Sequence, residues 1–338
     1  MMKRVPKFAV LTLSAMLALS GCGMTSDPLP GTIGEDGQPA AVSTQDYAPA
    51  EVVKPKDGKK VKIGASFPLL DQFLQNVANS IKERAEAAGA EVSITSAEEK
   101  IEIQLNQIEN FIASGVDALI VLPQDTAPTA QITQKAKAAN IPLVYVNRRP
   151  SELPKGVPYV GSDSLVAGQL EMEQLAKLSH HQGNVAILQG DPTQEAAQQR
   201  TQGCKEVAAK YNMNVVFDQT GLWMRDKGLA LAENLIQSGQ QVDVICANND
   251  EMALGAINAF ENAGMLDKVV VGGVDATGDA LNAMAASKLE VTVFQDAKGQ
   301  GQAGVDTAIK MVNGDEVPDI INVPYQLVTP ENMSQFQQ

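Results

Sequence analysis

The stretch Cys246-Ala247-Asn248-Asn249-Asp250-Glu251-Met252-Ala253-Leu254-Gly255 decides how the chain folds. Residues 242–246 before it are apolar except for Asp243, a length that suits a strand buried in a parallel sheet. After it, Met252, Ile257 and Phe260 recur at roughly helical spacing. Asp250 stands where a helix N-cap is expected, because its carboxylate can accept from an otherwise orphan backbone N–H. Asn248 and Asn249 then fall at the carboxyl end of a strand, where open α/β sheets bind their ligands. Capping alone explains the same three side chains equally well, so this pattern leaves both roles open.

Outward from this unit the same alternation fills the chain. Strands are predicted at 61–65, 92–94, 118–122 and 143–146. Helices are predicted at 71–88, along the face of Ile101, Leu105, Ile108 and Ile112, and at 126–139. Gly89 and Gly115 close the first two helices. After Gly161 the pattern restarts with helix 165–178, strand 185–188, helix 199–211, strand 215–217 and helix 227–238. Strands 269–271 and 291–294, with helix 279–286 between them, follow the opening unit. Such alternation implies right-handed βαβ units and mostly parallel sheet. A short repeat divides it: Glu109-Asn110-Phe111-Ile112-Ala113-Ser114-Gly115 is echoed by Glu233-Asn234-Leu235-Ile236-Gln237-Ser238-Gly239, each followed by a Val-Asp pair and a strand. Two equivalent units far apart point to two lobes of one design.

Composition narrows the function. A net charge of −14 argues against nucleic acid or an anionic membrane surface as a partner. The only histidines, His180 and His181, are adjacent beside a Gln-Gly turn, and no carboxylates or cysteines cluster at metal-ligand spacing. A histidine-based catalytic site, a metal and a cofactor are all unexpected. The glycine-rich run 272–278 lacks dinucleotide-binding spacing, and no nucleophile–base pair emerges, so an enzyme is not expected. Cys204 and Cys246 read as small buried side chains, with a bond between them left open.

The N-terminus reads as an address. Lys3, Arg4 and Lys7 precede a nearly apolar run over 8–19, too short to be a comfortable membrane span. It ends in Leu19-Ser20-Gly21-Cys22, which resembles the lipobox of bacterial lipoproteins. That resemblance makes 1–22 a signal peptide and Cys22 the acylated residue. Residues 23–58 are poor in large apolar side chains and read as a flexible tether.

Further motifs carry a resemblance over residues 60–330. They are Asp71-Gln72-Phe73, Val146-Asn147-Arg148, Val160-Gly161-Ser162-Asp163-Ser164 and Gln189-Gly190-Asp191-Pro192. Arg200-Thr201, Leu222-Trp223, Ala247-Asn248-Asn249-Asp250, Gly273-Val274-Asp275-Ala276 and Thr292-Val293-Phe294-Gln295-Asp296 follow. In order and spacing the chain resembles the type I periplasmic sugar-binding proteins, nearest their galactose/glucose-binding branch with features of the ribose-binding branch. The resemblance implies an α/β fold of two doubly wound parallel-sheet lobes joined by a three-strand hinge. The first lobe would hold 59–161 and 299–323, and the second 164–297 and 326–338. Crossings are expected near 161–163, 297–299 and 324–326, with a final helix at 301–312 returning to the first lobe.

The same resemblance implies a ligand set of Asp71, Phe73, Asn147, Arg148, Arg200, Trp223, Asn249, Asp275 and Gln295. The chemistry is apt. Sugar hydroxyls donate and accept at once, which suits Asp, Asn and Arg, while C–H faces need flat rings. Arg149 is expected to be solvated. The chain also departs from the galactose/glucose branch: Phe67 replaces a tyrosine, Gln194 and Ala196 replace a histidine and an aspartate, and 177–183 lacks spaced carboxylates for calcium. A pentose, a deoxy-sugar or a cyclitol such as inositol therefore fits at least as well as glucose or galactose. The implied function is a lipid-anchored, monomeric substrate-binding component in the periplasm or on the outer face of the cell membrane. It would deliver a sugar or polyol to an ABC permease and ATPase. The alternative is a sensing subunit for a chemoreceptor or histidine kinase. A sugar-responsive repressor would need a DNA-binding helix pair before residue 60, where the address and tether lie.

Overall fold

The computed structural model describes residues 42–49, 51–126 and 129–337, so the signal segment and Cys22 lie outside the described residues. The chain runs β1 (Thr44–Asp46), β2 (Lys62–Phe67), α1 (Gln72–Ala88), β3 (Glu91–Ser96), α2 (Ile101–Ala113), β4 (Ala118–Val121), α3 (Ala130–Ala138), β5 (Leu143–Val146) and β6 (Tyr159–Gly161). It continues through α4 (Ser164–Leu178), β7 (Asn184–Gln189), α5 (Glu195–Lys210), β8 (Asn214–Thr220), α6 (Arg225–Gln237), β9 (Val244–Ala247), α7 (Asp250–Asn262), β10 (Val270–Gly272) and α8 (Gly278–Ala285). It ends with β11 (Thr292–Phe294), α9 (Ala297–Val312), β12 (Ile320–Asn322) and β13 (Gln326–Val328).

These elements build two lobes. One holds a parallel sheet in the order β1-β12-β6-β5-β4-β2-β3, and the other a parallel sheet in the order β10-β9-β7-β8. The antiparallel pair β11–β13 joins the second sheet through bridges from Gly272 to Val291 and from Asp275 to Phe294. The central strands β4, β5 and β9 are buried along their whole length. Helices cover both faces, so their sequences are continuous apolar runs rather than alternating ones. The chain passes between the lobes three times: from β6 to α4, from β11 to α9 and from β12 to β13.

The sequence repeat has a structural counterpart. Gly115 and Gly239 both adopt left-handed φ, +72° and +71°, just past the ends of α2 and α6. The aspartates of the two Val-Asp pairs then act alike. Asp117 accepts from the Lys62 backbone N–H at 2.9 Å, and Asp243 from that of Asn184 at 2.7 Å. Each thereby pins the start of the strand that follows it, β4 or β9, to its neighbour β2 or β7.

Several expectations change. The N-cap of α7 is Asn249, whose Oδ1 accepts from the Met252 N–H at 3.1 Å. Asp250 begins the helix, and its buried carboxylate binds the Thr277 N–H and the Thr292 hydroxyl at 2.8 and 2.7 Å. Helix α9 begins at Ala297 rather than 301, because Asp296 caps it through the Gly299 N–H at 2.7 Å. Glycines 299, 301 and 304 are poor helix formers, but here they permit close packing: a Cβ on Gly301 would lie 2.7 Å from Ser80 of α1. The tether read over 23–58 is also corrected at β1, its residues before 42 lying outside the described residues. β1 adds to β12 in parallel, Asn322 Nδ2 bonds Asp46 at 2.7 Å, and the Ser43 N–H and hydroxyl bond Asp319 at 3.0 and 2.8 Å. Polar side chains hid this strand because the pairing uses backbone groups to cover an otherwise open edge.

Helices α4 and α5 approach through glycines. A Cβ on Gly168 would overlap the Arg200 carbonyl oxygen, and one on Gly203 would lie 2.6 Å from the Leu165 oxygen. Both obstacles are backbone and cannot swing aside. Gly168→Val is therefore expected to lower unfolding free energy by about 1–3 kcal/mol, read as a reduced urea midpoint.

Candidate functional site

All nine candidate residues line one cavity of about 50 Å³ between the lobes, together with Leu74, Ser164, Gln194 and Ala196. Most sit in loops at the carboxyl ends of strands: Asp71 after β2, Asn147 and Arg148 after β5, Trp223 after β8, Asn249 after β9, Asp275 after β10 and Gln295 after β11. Phe73 projects from the first turn of α1 and Arg200 from α5. A larger groove of about 630 Å³ opens beside this cavity and shares Phe73, Asp275 and Gln295 with it. The groove lacks the two arginines and the tryptophan ring, so the chemistry concentrates in the smaller space.

On the second lobe, Arg200 organises the site. Its Nη1 donates to the Asn248 carbonyl at 2.6 Å, and its Nη2 to Gln295 Oε1 and the Tyr325 hydroxyl, both at 2.8 Å. Asp275 Oδ1 lies 3.8 Å from Nη1, and the guanidinium stands 5.6 Å from the Trp223 ring centre. Burial raises the Asp275 carboxyl well above its ordinary range, while Arg200 opposes that rise. Asn249 uses its oxygen for the helix cap and donates from Nδ2 to the Trp223 carbonyl at 3.1 Å. Trp223 Nε1 donates to Gln194 Oε1 at 3.0 Å. Gly190 lets the ring lie there, since a Cβ at that position would overlap the indole.

On the first lobe, Asp71 Oδ1 caps α1 through the Leu74 N–H at 2.7 Å, so the capping and site positions coincide. Burial raises the Asp71 carboxyl, and the Leu74 N–H restrains the rise. Asn147 donates to Gln300 at 3.0 Å. Arg148 is buried with only long bonds, 3.4 Å, to the Pro123 and Gln124 carbonyls, and burial pushes its guanidinium down to about 10. Among the described residues, no carboxylate forms an ion pair with it. Asn147, Trp223 and Asp275 have φ of 63°, 68° and 124°. Such backbone persists where the surroundings hold it, and it clusters at ligand clamps.

Sequence reasoning missed other contributors. Tyr325 lies in the third crossing, where nothing in the residue pattern marks it as a partner of Arg200. Gln194, read only as a replacement, is buried and holds the indole. Arg149 is buried, contrary to the solvated placement, because β1 and Glu195 help wall the groove it faces. Cys204 and Cys246 are joined in a disulfide with a Cα separation of 6.7 Å.

A family model described as a periplasmic binding protein domain matches residues 63–316. A protein of Rhizobium meliloti named for rhizopine binding is 41% identical over 284 residues, covering 81% of this chain and 92% of its own. The ribose import binding protein of Bacillus subtilis (strain 168) is 30% identical over 285 residues, covering 83% and 92%. Among solved structures, an ABC transporter solute binding protein from Bacillus halodurans C-125 with bound myo-inositol is 42% identical. It superposes with a TM-score of 0.80 and covers 83% of this chain and 99% of its own.

Proposed function

The chain belongs to the periplasmic binding protein domain family, and on that premise we propose that it is the substrate-binding lipoprotein of an ABC importer for a monosaccharide or cyclitol. One observation carries the reading. Side chains from both lobes bring two carboxylates, two guanidiniums, amides and two aromatic rings into one small cavity. Carboxylates and guanidiniums supply charge-assisted bonds to hydroxyls, and Trp223 and Phe73 supply apolar faces for C–H groups. Only the closed arrangement presents both sets at once, so the ligand shifts the population towards closure. A cyclitol suits a cavity polar on every side of a ring, and the 42%-identical neighbour holds myo-inositol. Acylation at Cys22 would hold the protein on the outer face of the membrane, where a permease and ATPase would receive the cargo.

The single tryptophan provides the test. With residues 1–22 removed, Trp223 fluorescence is expected to change saturably with myo-inositol or a closely related ring polyol at micromolar concentration. The panel should also contain ribose, xylose, fucose, glucose and galactose. A flat response to every compound, with no thermal stabilisation, would exclude the proposed ligand class.

A further inference from the structure

Some contacts that hold the lobes together lie outside the ligand cavity. We infer that Thr126 is a positioning residue for ligand retention, acting as a latch between two loops that meet only when the lobes close. This rests on the sugar or polyol reading of the cavity.

Thr126 belongs to the first lobe, in the loop after β4. Its hydroxyl donates to the Thr193 carbonyl of the second lobe, in the loop after β7, at 2.9 Å. Neither residue lines the cavity. Both loops are braced within their own lobes. Asp191 accepts from the Thr193 N–H and hydroxyl at 2.9 and 2.7 Å, and from Gln194 Nε2 at 3.2 Å. On the facing side, the Gln124 N–H donates to Gln104 Oε1 at 2.8 Å, and the Ser151 N–H to the Thr126 carbonyl at 3.0 Å. Bracing means that little freedom remains to be lost when the loops meet.

A second, longer link runs beside the first. The Gln124 carbonyl receives Arg148 Nη1 at 3.4 Å from its own lobe and Gln194 Nε2 at 3.5 Å from the other. Gln194 in turn holds the Trp223 indole. The two halves of the site are thus tied through a carbonyl that does not line the cavity. Thr126 is buried and fixes the loop that presents this carbonyl.

Because the latch forms after the ligand is enclosed, it governs escape rather than encounter. Thr126→Val keeps the side chain's shape and deletes the donor. Stopped-flow Trp223 fluorescence with the panel ligand that binds wild type best is expected to show dissociation about 3- to 10-fold faster, the scale of one neutral hydrogen bond. Association should stay within about twofold of wild type, and Thr126→Ser should restore slow release. Wild-type dissociation in Thr126→Val would overturn the latch and leave the ligand reading intact. Silence of wild type towards every panel compound would instead overturn the ligand reading, and the latch with it.

Discussion

Asp275→Ala is expected to weaken ligand binding by about 100- to 1,000-fold while leaving the protein folded. The carboxylate lies at the carboxyl end of β10, buried, with Arg200 Nη1 at 3.8 Å as the only cation in ion-pair range among the described residues. A carboxylate accepting two ligand hydroxyls contributes roughly 1.5–2 kcal/mol per bond, and each 1.4 kcal/mol is tenfold in affinity. Truncation would also leave Arg200 without the group that balances it. Gln295, Tyr325 and the Asn248 carbonyl still hold the guanidinium, so the lobe should stay intact. Isothermal titration with the best panel ligand, beside a thermal melt of the free variant, checks both halves. Affinity within fivefold of wild type would remove Asp275 from the binding set.

A second large effect concerns the first lobe alone. Arg84 of α1 and Asp306 of α9 form a two-bond pair, Nε to Oδ1 at 2.8 Å and Nη2 to Oδ2 at 2.6 Å, with both side chains 8% exposed. Asp306→Ala would leave a buried guanidinium without its carboxylate. The expected loss of unfolding free energy is about 3 kcal/mol, at the low end for a broken buried pair. The low end is apt because Arg84 Nη2 also donates to the Glu51 carbonyl at 3.1 Å, a bond the variant keeps. Urea denaturation followed by circular dichroism measures it. Replacing both partners with Leu should recover most of the loss, because two apolar side chains leave no orphan charge. An unchanged midpoint in Asp306→Ala would mean that water reaches the pair freely.

The α/β alternation was legible because helices and buried strands impose different periods on the same apolar residues. That the nine candidate residues would meet in one cavity was legible for another reason: a chain resemblance places side chains that are 95 residues apart, such as Arg200 and Gln295, beside each other. Local chemistry could not do so. It put the α7 cap one residue late, since Asn249 and Asp250 are both good capping types and only the backbone angles choose between them. It missed Tyr325 because a hydroxyl aimed at an arginine depends on how a crossing strand turns. It took residues 44–46 for tether because strand addition at a sheet edge draws on backbone groups, which every sequence has. Buried Arg149 escaped for a similar reason: its cover comes from segments far away in the chain.

That edge strand would set where the proposed Cys22 anchor moors the molecule. Under the proposed acylation of Cys22, with Thr44 clipped to β12, the leash would be the stretch between them, reaching no farther than about 75 Å even if pulled straight. A leash running to the start of β2 would be nearly twice as long. The clip grips the first lobe only, on the strand that leads into the third crossing. The second lobe could therefore swing open and shut without tugging on such a mooring. Cargo exchange and attachment to the membrane would then be mechanically separate.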